Sequence, residues 1–264
     1  MDLKLRGKVA LITGGSKGIG LSTARVFAQE GCDLGICGRS SEDLAVAKAE
    51  LEGLGARVAA IKADVCQPND AAAFVDGCLE ALGGIDILVN NVGGSKGAAS
   101  ILQASDEDWE STFQVTMFQG VRMARLAAPH MKARGGGVII NISSISGWSA
   151  QLAGSAQYGS AKAAVIFLTE RMALELVHDK IRVNTVSPSS IQHTQGWERY
   201  RNQSPMSYET YVRDGFPMGR LGNPEEVADV IVFLASPRAN WINGRNVPVD
   251  GLEQPVPVAE RRPW

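Results

Sequence analysis

Val9-Ala-Leu-Ile-Thr13, followed at once by Gly14-Gly-Ser-Lys-Gly-Ile-Gly20, is the stretch that decides the fold. The first five residues are a short apolar run bounded by turn residues, which reads as a buried strand. The pattern through Ala24, Val26 and Phe27 to Gly31 predicts a helix after the glycines. Strand, glycine-rich turn and helix together form a phosphate-cradling unit. Glycines let the backbone approach a pyrophosphate, and the helix N-terminus offers N–H groups without intrahelical partners. The spacing is Gly-x-x-x-Gly-x-Gly rather than the commoner Gly-x-Gly-x-x-Gly, and for a glycine loop taken alone an ordinary tight turn is the alternative. Its place directly after the first strand favours a dinucleotide site, with Gly14, Ser16, Lys17, Gly18, Ile19 and Gly20 as candidate contacts.

Working outward, the same alternation recurs. Strands are predicted at Asp33–Cys37, Arg57–Lys62, a run from Gly84 into the turn Asn90-Asn-Val-Gly93, Gly137–Ser144, Ile181–Val186 and Asn246–Asp250. Helices are predicted from Ser40 or Ser41, over Asn69–Leu82, Asp106–Met131, Gln157–Val177 and Glu225–Leu234. This implies an α/β fold, a doubly wound (Rossmann-type), mostly parallel seven-stranded sheet with helices on both faces. The proline of Asn246-Val-Pro-Val-Asp250 favours an edge strand. No linker divides the chain, so residues 1–264 are expected to form a single domain. Between 188 and 219 the alternation stops, and Trp197, Tyr200, Met206, Tyr208, Tyr211 and Phe216 gather in what is expected to be a substrate lid. These aromatics either line an apolar pocket with Trp148 or pin the segment to the core or to another subunit.

Where an NAD site places an acidic residue for the ribose 2′-hydroxyl, the chain has Gly38-Arg39-Ser40. Arg39 suits a 2′-phosphate, and Lys17 adds a second positive charge; an exposed residue before a helix is the alternative for Arg39. Asn90 and Asn91 are placed to tie their turn or to contact the cofactor.

Tyr158-Gly-Ser-Ala-Lys162 carries the candidate chemistry. Residues i and i+4 of a helix share a face, so phenol and ammonium point the same way. A free tyrosine titrates near 10, each unit of downward shift needing ~1.4 kcal/mol of preference for the phenolate. A lysine charge acts in that direction, which would let Tyr158 exchange a proton with a substrate oxygen. Ser144, at the carboxyl end of the preceding strand, lies on the edge where open α/β sheets bind ligands. Its hydroxyl is placed to bond the same oxygen.

Composition narrows the partners. A chain of 264 residues buries roughly 70–75% of its unfolded surface and needs no disulfide or metal. A formal charge of −2 with acids and bases intermixed argues against nucleic acid or an anionic membrane, leaving a small-molecule substrate. Cys32, Cys37, Cys66 and Cys78 lack Cys-x-x-Cys spacing and His130, His178 and His193 are scattered, so buried free thiols and no metal site are expected. The start of the chain lacks a signal-peptide core and no apolar run reaches transmembrane length, so a cytoplasmic location is expected.

From about Gly7 to Gly251 the chain resembles the short-chain dehydrogenase/reductase family. The resemblance is carried by Thr13-Gly-Gly-Ser-Lys-Gly-Ile-Gly20, Asp64-Val65, Asn90-Asn-Val-Gly93, Ser144, Tyr158-Gly-Ser-Ala-Lys162, Ile181-Arg-Val-Asn184 and Asp250-Gly251. It implies a nicotinamide cofactor, Tyr158 as acid/base, Lys162 holding the nicotinamide ribose, and Ser144 orienting the substrate oxygen. Asp64, Val65, Asn91, Gly93, Pro188 and Ile191 complete the implied cofactor contacts. Trp148 and Trp197 join Ser144 and Tyr158 as candidate substrate residues, and a homo-oligomer, tetramer or dimer, is implied.

The chain departs from the family where Thr116 stands in place of a catalytic asparagine seven residues after Trp109. The threonine keeps one donor and one acceptor for a proton relay, unless its hydroxyl bonds back to the carbonyl of Thr112 or Phe113. Ser189 and Leu252 replace family glycines, and the tail at 252–264 lies outside the pattern. The sequence therefore reads as an NADP(H)-dependent carbonyl reductase, with an NADP(H)-binding sensor or scaffold of little or no turnover as the alternative.

Overall fold

Alternation along β1 (Val9–Thr13) sets the layers. Successive side chains of a strand point to opposite faces. Val9 and Leu11 pack with Phe74, Cys78, Met123 and Met131, whereas Ala10 and Ile12 pack with Phe27, Leu44, Leu51 and Ile231. A strand apolar on both faces belongs inside a parallel sheet covered by helices. The computed structural model describes residues 2–98, 100–150, 154–203 and 206–255, and of Gln195, Arg199, Tyr200 and Gln203 the backbone only.

The remaining strands are β2 (Asp33–Gly38), β3 (Val58–Lys62), β4 (Ile87–Asn90), β5 (Gly137–Ile142), β6 (Ile181–Pro188) and β7 (Asn246–Val249). Among the described residues all seven strands are parallel, in the order β3-β2-β1-β4-β5-β6-β7. Pro248 lies on the outermost strand, where its missing N–H interrupts no further ladder. The chain runs from β1 outward through β2 to β3, then returns to the other side of β1 as β4. This reversal opens a crevice at the carboxyl ends of β1 and β4, where α/β sheets bind ligands.

The helices are α1 (Gly18–Gln29), α2 (Ser41–Gly53), α3 (Pro68–Leu82), α4 (Asp106–Phe113), α5 (Gln119–Ala133), α6 (Ala156–Leu176), α7 (Gln195–Gln203), α8 (Tyr208–Gly215) and α9 (Pro224–Ala235). α1, α2 and α9 cover one face, and α3, α5 and α6 the other. The single helix expected from Asp106 to Met131 is divided. A π-helical turn, Gln114–Phe118, separates α4 from α5. Thr112, Thr116 and Gln119 all bond onto the chain leaving β4, meeting backbone groups of Lys96, Gly94 and Val92 respectively. These contacts fall on every second residue of that segment. Spaced i, i+4 and i+7, the three side chains lie along one side of the helix, with the π turn between the first and the last of them.

At the opposite end of the sheet Asp86 ties β1 to β4. Its carboxylate, 7% exposed, accepts from the Val9 N–H at 2.9 Å, from Lys8 at 3.2 Å and from Arg134 at 3.1 Å. Burial alone would push the carboxyl up; the Val9 N–H, Arg134 and Lys8 outweigh it and hold the carboxyl below its ordinary value. Its stabilising contribution is therefore present above the unfolded carboxylate pKa and is lost as pH falls through the lower folded value. Asp86→Asn should lower stability near neutral pH by about 1.5–3 kcal/mol, with the gap to wild type closing in acid. Urea unfolding of both forms across the acid range checks this, and equal stability at neutral pH would contradict it.

Candidate active site

The glycine loop joins β1 to α1 with Gly14 and Gly18 in left-handed conformation, at φ +66° and +53°. A Cβ on Gly20 would collide with the Gly14 carbonyl, so the first turn of α1 lies directly on the loop. Lys17 is the N-cap of α1 and its side chain caps nothing, which leaves the first-turn N–H groups without a side-chain acceptor. The loop therefore fits an anionic group such as a pyrophosphate. Asn91 donates to the carbonyls of Thr13 and Gly14 at 2.9 and 3.2 Å, and the Thr13 hydroxyl accepts from the N–H groups of Asn91 and Val92 at 3.0 and 3.2 Å. Of the two roles open to Asn91 in the sequence, the structure shows it tying its turn to the loop.

At the end of β2, Arg39 is exposed and has no ion pair among the described residues. Lys17, expected beside it as a second free charge, is 2.8 Å from Asp43 in the first turn of α2. The Ser16 side chain lies against Gly38. Asp64 forms a small turn, accepting from the Cys66 N–H at 3.0 Å, while the buried Val65 gives its carbonyl to Arg122 at 2.9 Å. Ile19 packs against the core, Pro188 closes β6, and Ile191 is buried and bridged to Gly222.

Across the crevice, Ser144 leads a short 3₁₀ turn, its hydroxyl accepting from the Ser146 N–H at 3.2 Å and lying near enough to the Tyr158 phenol to lower its pKa. Tyr158 is in the first turn of α6, where Ser155 caps its N–H. Lys162 follows one turn later, 3% exposed, with Nζ 5.6 Å from the centroid of the Tyr158 ring and donating to the Ile142 carbonyl at 2.6 Å. No carboxylate pairs with it among the described residues, and burial drives it down to about 7. The expected downward pull of Lys162 on Tyr158 does not govern here. Burial raises the phenol, the nearby Ser144 hydroxyl lowers it by less, and the net direction is up. A lysine that is itself driven toward neutrality supplies little charge to its neighbour. A Cβ at Gly93 would stand 2.9 Å from the ammonium, so a larger residue there would displace the end of the Lys162 side chain.

Thr116 does not bond back along its own helix. Its hydroxyl donates to the Gly94 carbonyl at 2.8 Å and accepts from the Gly94 N–H at 3.3 Å. Asn90 Oδ1 and Gln119 Oε1, both buried, have no hydrogen-bond partner, and both residues line a cavity of about 10 Å³ together with Thr116 and Ile142. That space suits one water. Below it Asn90 donates to Asn141, and Asn141 and Thr185 both donate to Thr169.

Trp148 is 46% exposed next to the serine turn, whereas Trp197 is 8% exposed and packs against Tyr208 and Tyr211. Trp197, Tyr211, Val212, Phe216 and Leu221 form a separate cluster with Met206 at its edge, so within the described residues the aromatics pin their segment together. Sequence reasoning missed Gln119 and Gln157; the latter, fully buried, donates to the Lys96 and Ala98 carbonyls at 3.0 and 2.6 Å. Polar residues that hold a distant loop carry no local pattern to betray them.

A phosphate cradle facing a hydroxyl–phenol–ammonium set across one sheet edge is the equipment of a nicotinamide-dependent oxidoreductase. The chain belongs to the short-chain dehydrogenase/reductase family, whose members act on CH–OH and keto groups. A family model described as enoyl-(acyl carrier protein) reductase matches residues 14–251. The chain is 34% identical over 249 residues to the 3-oxoacyl-(acyl-carrier-protein) reductase FabG of Thermotoga maritima, covering 94% of this chain and 98% of that one. It superposes with a TM-score of 0.88 and 30% identity on a 7α-hydroxysteroid dehydrogenase complexed with NADH and 7-oxo glycochenodeoxycholic acid, covering 96% and 97% of the two chains. The L-sorbose reductase of Gluconobacter frateurii, complexed with NADPH and L-sorbose, gives 0.88 and 36% over 95% and 98%.

The lowered Lys162 has a measurable sign. From about 7 up to the ordinary lysine value the folded protein binds fewer protons than the unfolded chain, so this group makes stability rise with pH across that window. Lys162→Met should flatten the slope of stability between about pH 7 and 10. Denaturation curves at several pH values check it, and parallel curves for the two proteins would contradict it.

Proposed function

We propose that this chain is an NADP(H)-dependent carbonyl reductase, interconverting a ketone and its secondary alcohol. The observation that carries the reading is the Ser144 hydroxyl set beside the Tyr158 phenol with the Lys162 ammonium behind it. Two hydroxyls so placed leave a single point where one substrate oxygen can bond to both. A bound nicotinamide would supply or accept the hydride at the carbon. Tyr158 then delivers its proton to the oxygen as negative charge develops there, and Ser144 holds that oxygen by a second hydrogen bond. Lys162, donating to ribose hydroxyls, would regain its charged form, and that charge favours the phenolate. FabG, 7α-hydroxysteroid dehydrogenase and L-sorbose reductase are each named for keto or hydroxyl chemistry. This supports a carbonyl over the carbon–carbon double bond of an enoyl substrate.

The preference for NADP(H) rests on Arg39, exposed and without an acidic partner, and on the lack of a carboxylate at the end of β2. The Lys17–Asp43 pair has both side chains exposed, at 55% and 32%. Such pairs are worth only about 0–1 kcal/mol, so a 2′-phosphate competes readily for Lys17.

In this reading the chain is one domain and the segment 188–219, with α7 and α8, is its substrate lid. Trp148 is the substrate contact nearest Ser144, Trp197 stiffens the lid from within, and Thr116 anchors the loop after β4. The exposed Phe167 and Leu174 of α6 and the fully exposed Trp241 support a homo-oligomer, dimer or tetramer. No helix among the described residues is long and apolar enough to cross a membrane; a cytoplasmic setting is part of the proposal. Residues 256–264 of the tail lie outside the described residues. The second reading, a cofactor-binding sensor without turnover, is favoured by the commitment of the Thr116 hydroxyl to Gly94.

Tyr158→Phe deletes the transferable proton and little volume, so it should leave NADPH affinity within a few-fold and reduce kcat by ~10²–10⁴-fold or more. Near-normal turnover in that variant would remove the assignment. Arg39→Ala should cut the preference for NADPH over NADH by at least about tenfold, the effect of losing one charge-assisted contact. Titration of both cofactors decides this, an unchanged ratio counting against the 2′-phosphate site.

A further inference from the structure

Among the described residues the buried charged side chains are Asp86, Lys162 and Glu253. Asp86 has cations and Lys162 belongs to the site above. Glu253, 9% exposed, lies beyond β7 and is met by neutral donors. One carboxylate oxygen accepts from the Ser190 N–H at 3.1 Å, and the other from the Tyr211 phenol at 3.1 Å and the Ser190 hydroxyl at 3.4 Å. The Ser190 and Tyr211 hydroxyls are 2.9 Å apart, and the N–H of Gln254 donates to the Gly215 carbonyl at 2.7 Å. The segment after β7 thus grips the lid at both ends: Ser190 where it leaves β6, Tyr211 and Gly215 on α8.

The backbone is bent to make this grip. After Asp250 the chain reverses through two left-handed residues, Gly251 at φ +54° and Leu252 at φ +60°, and the Glu253 N–H closes the turn onto the Asp250 carbonyl at 2.9 Å. A leucine in that conformation is strained, and strain of this kind persists where surrounding contacts impose it. The Leu252 side chain is 67% exposed; the turn is held by the Asp250 carboxylate, which accepts from the Leu252 N–H at 3.0 Å, and by the contacts of Glu253 and Gln254.

We infer that Glu253 is a positioning residue for the reaction: its carboxylate clamps the start of the lid to α8 and so sets the depth at which the lid lies over cofactor and substrate. This rests on the reading of 188–219 as a lid, and on Pro188 and Ile191 flanking the cofactor. Replacing Ser190 by glycine would remove a hydroxyl that the carboxylate uses.

The test compares full-length wild type with Glu253→Ala and Glu253→Gln by hydrogen–deuterium exchange, NADPH titration and steady-state kinetics. Glu253→Ala should speed exchange in 189–216 and leave β1 to β5 protected. NADPH Kd and ketone KM should rise roughly tenfold or more, the loss expected for a charged hydrogen-bond centre, with kcat changed less than about threefold. Glu253→Gln, which keeps one acceptor oxygen, should lie between the two. Exchange in 189–216 that matches wild type would overturn the clamp. Faster exchange there with Kd and KM unchanged would overturn the positioning role. If Glu253→Ala fails to fold, the same readouts on Glu253→Gln decide. If no ketone is turned over by wild type, the reductase reading falls, while exchange and NADPH Kd still decide the clamp.

Discussion

A lysine ammonium buried without a carboxylate is the constraint around which this structure is arranged. Burying a lone charge is unfavourable unless hydrogen bonds replace its water. Lys162 has the Ile142 carbonyl at 2.6 Å, and its ordinary charge is correspondingly weakened. The surrounding chain makes room for it: glycine at 93 lets backbone approach the ammonium, glycine at 147 lets the serine turn approach the lysine backbone, and the Ser143 hydroxyl donates to the Lys162 carbonyl at 2.8 Å. Each contact brings the carboxyl end of β5 against the start of α6, and that junction is what sets Ser144 beside Tyr158. In the proposed reaction the same ammonium regains its charge when hydroxyl acceptors are supplied, so cofactor binding and proton transfer become one event.

A second set of polar contacts fixes the other wall of the crevice. Thr13 and Asn91 lock the glycine loop to the exit of β4, and Thr112, Thr116, Gln119 and Gln157 hold the next residues in place. Buried side chains that satisfy backbone groups of a loop remove its alternatives as well as lowering its energy. The family asparagine position has thus been turned to loop anchorage in this chain. Polar acceptors at the water-sized cavity come instead from Asn90 and Gln119.

Much of this was legible in the sequence. β1, from Val9 to Thr13, and the start of α2 at Ser41 fall where local pattern placed them, because short apolar runs and helix starts are decided by near neighbours. The π-helical turn at 114–118 was not legible, since it leaves no periodic mark in the sequence. Lys17 looked free until folding brought Asp43 to it across the β2–α2 junction. Trp197 read equally well as pocket or packing, and only the placement of Tyr208 and Tyr211 shows that it packs. Glu253 was read as part of a tail outside the family pattern; its partners are separated from it by 63 and 42 residues.

The central claim is that one oxygen is held by Ser144 and protonated by Tyr158 while hydride passes to its carbon. The most direct measurement is NADPH consumption by the purified protein across ketones, diketones, ketoacyl thioesters and keto sugars, with the product alcohol quantified alongside. The account predicts that at least one class is reduced, with one alcohol formed for each NADPH consumed. A protein that binds NADPH tightly yet consumes none with any of these carbonyls would contradict it.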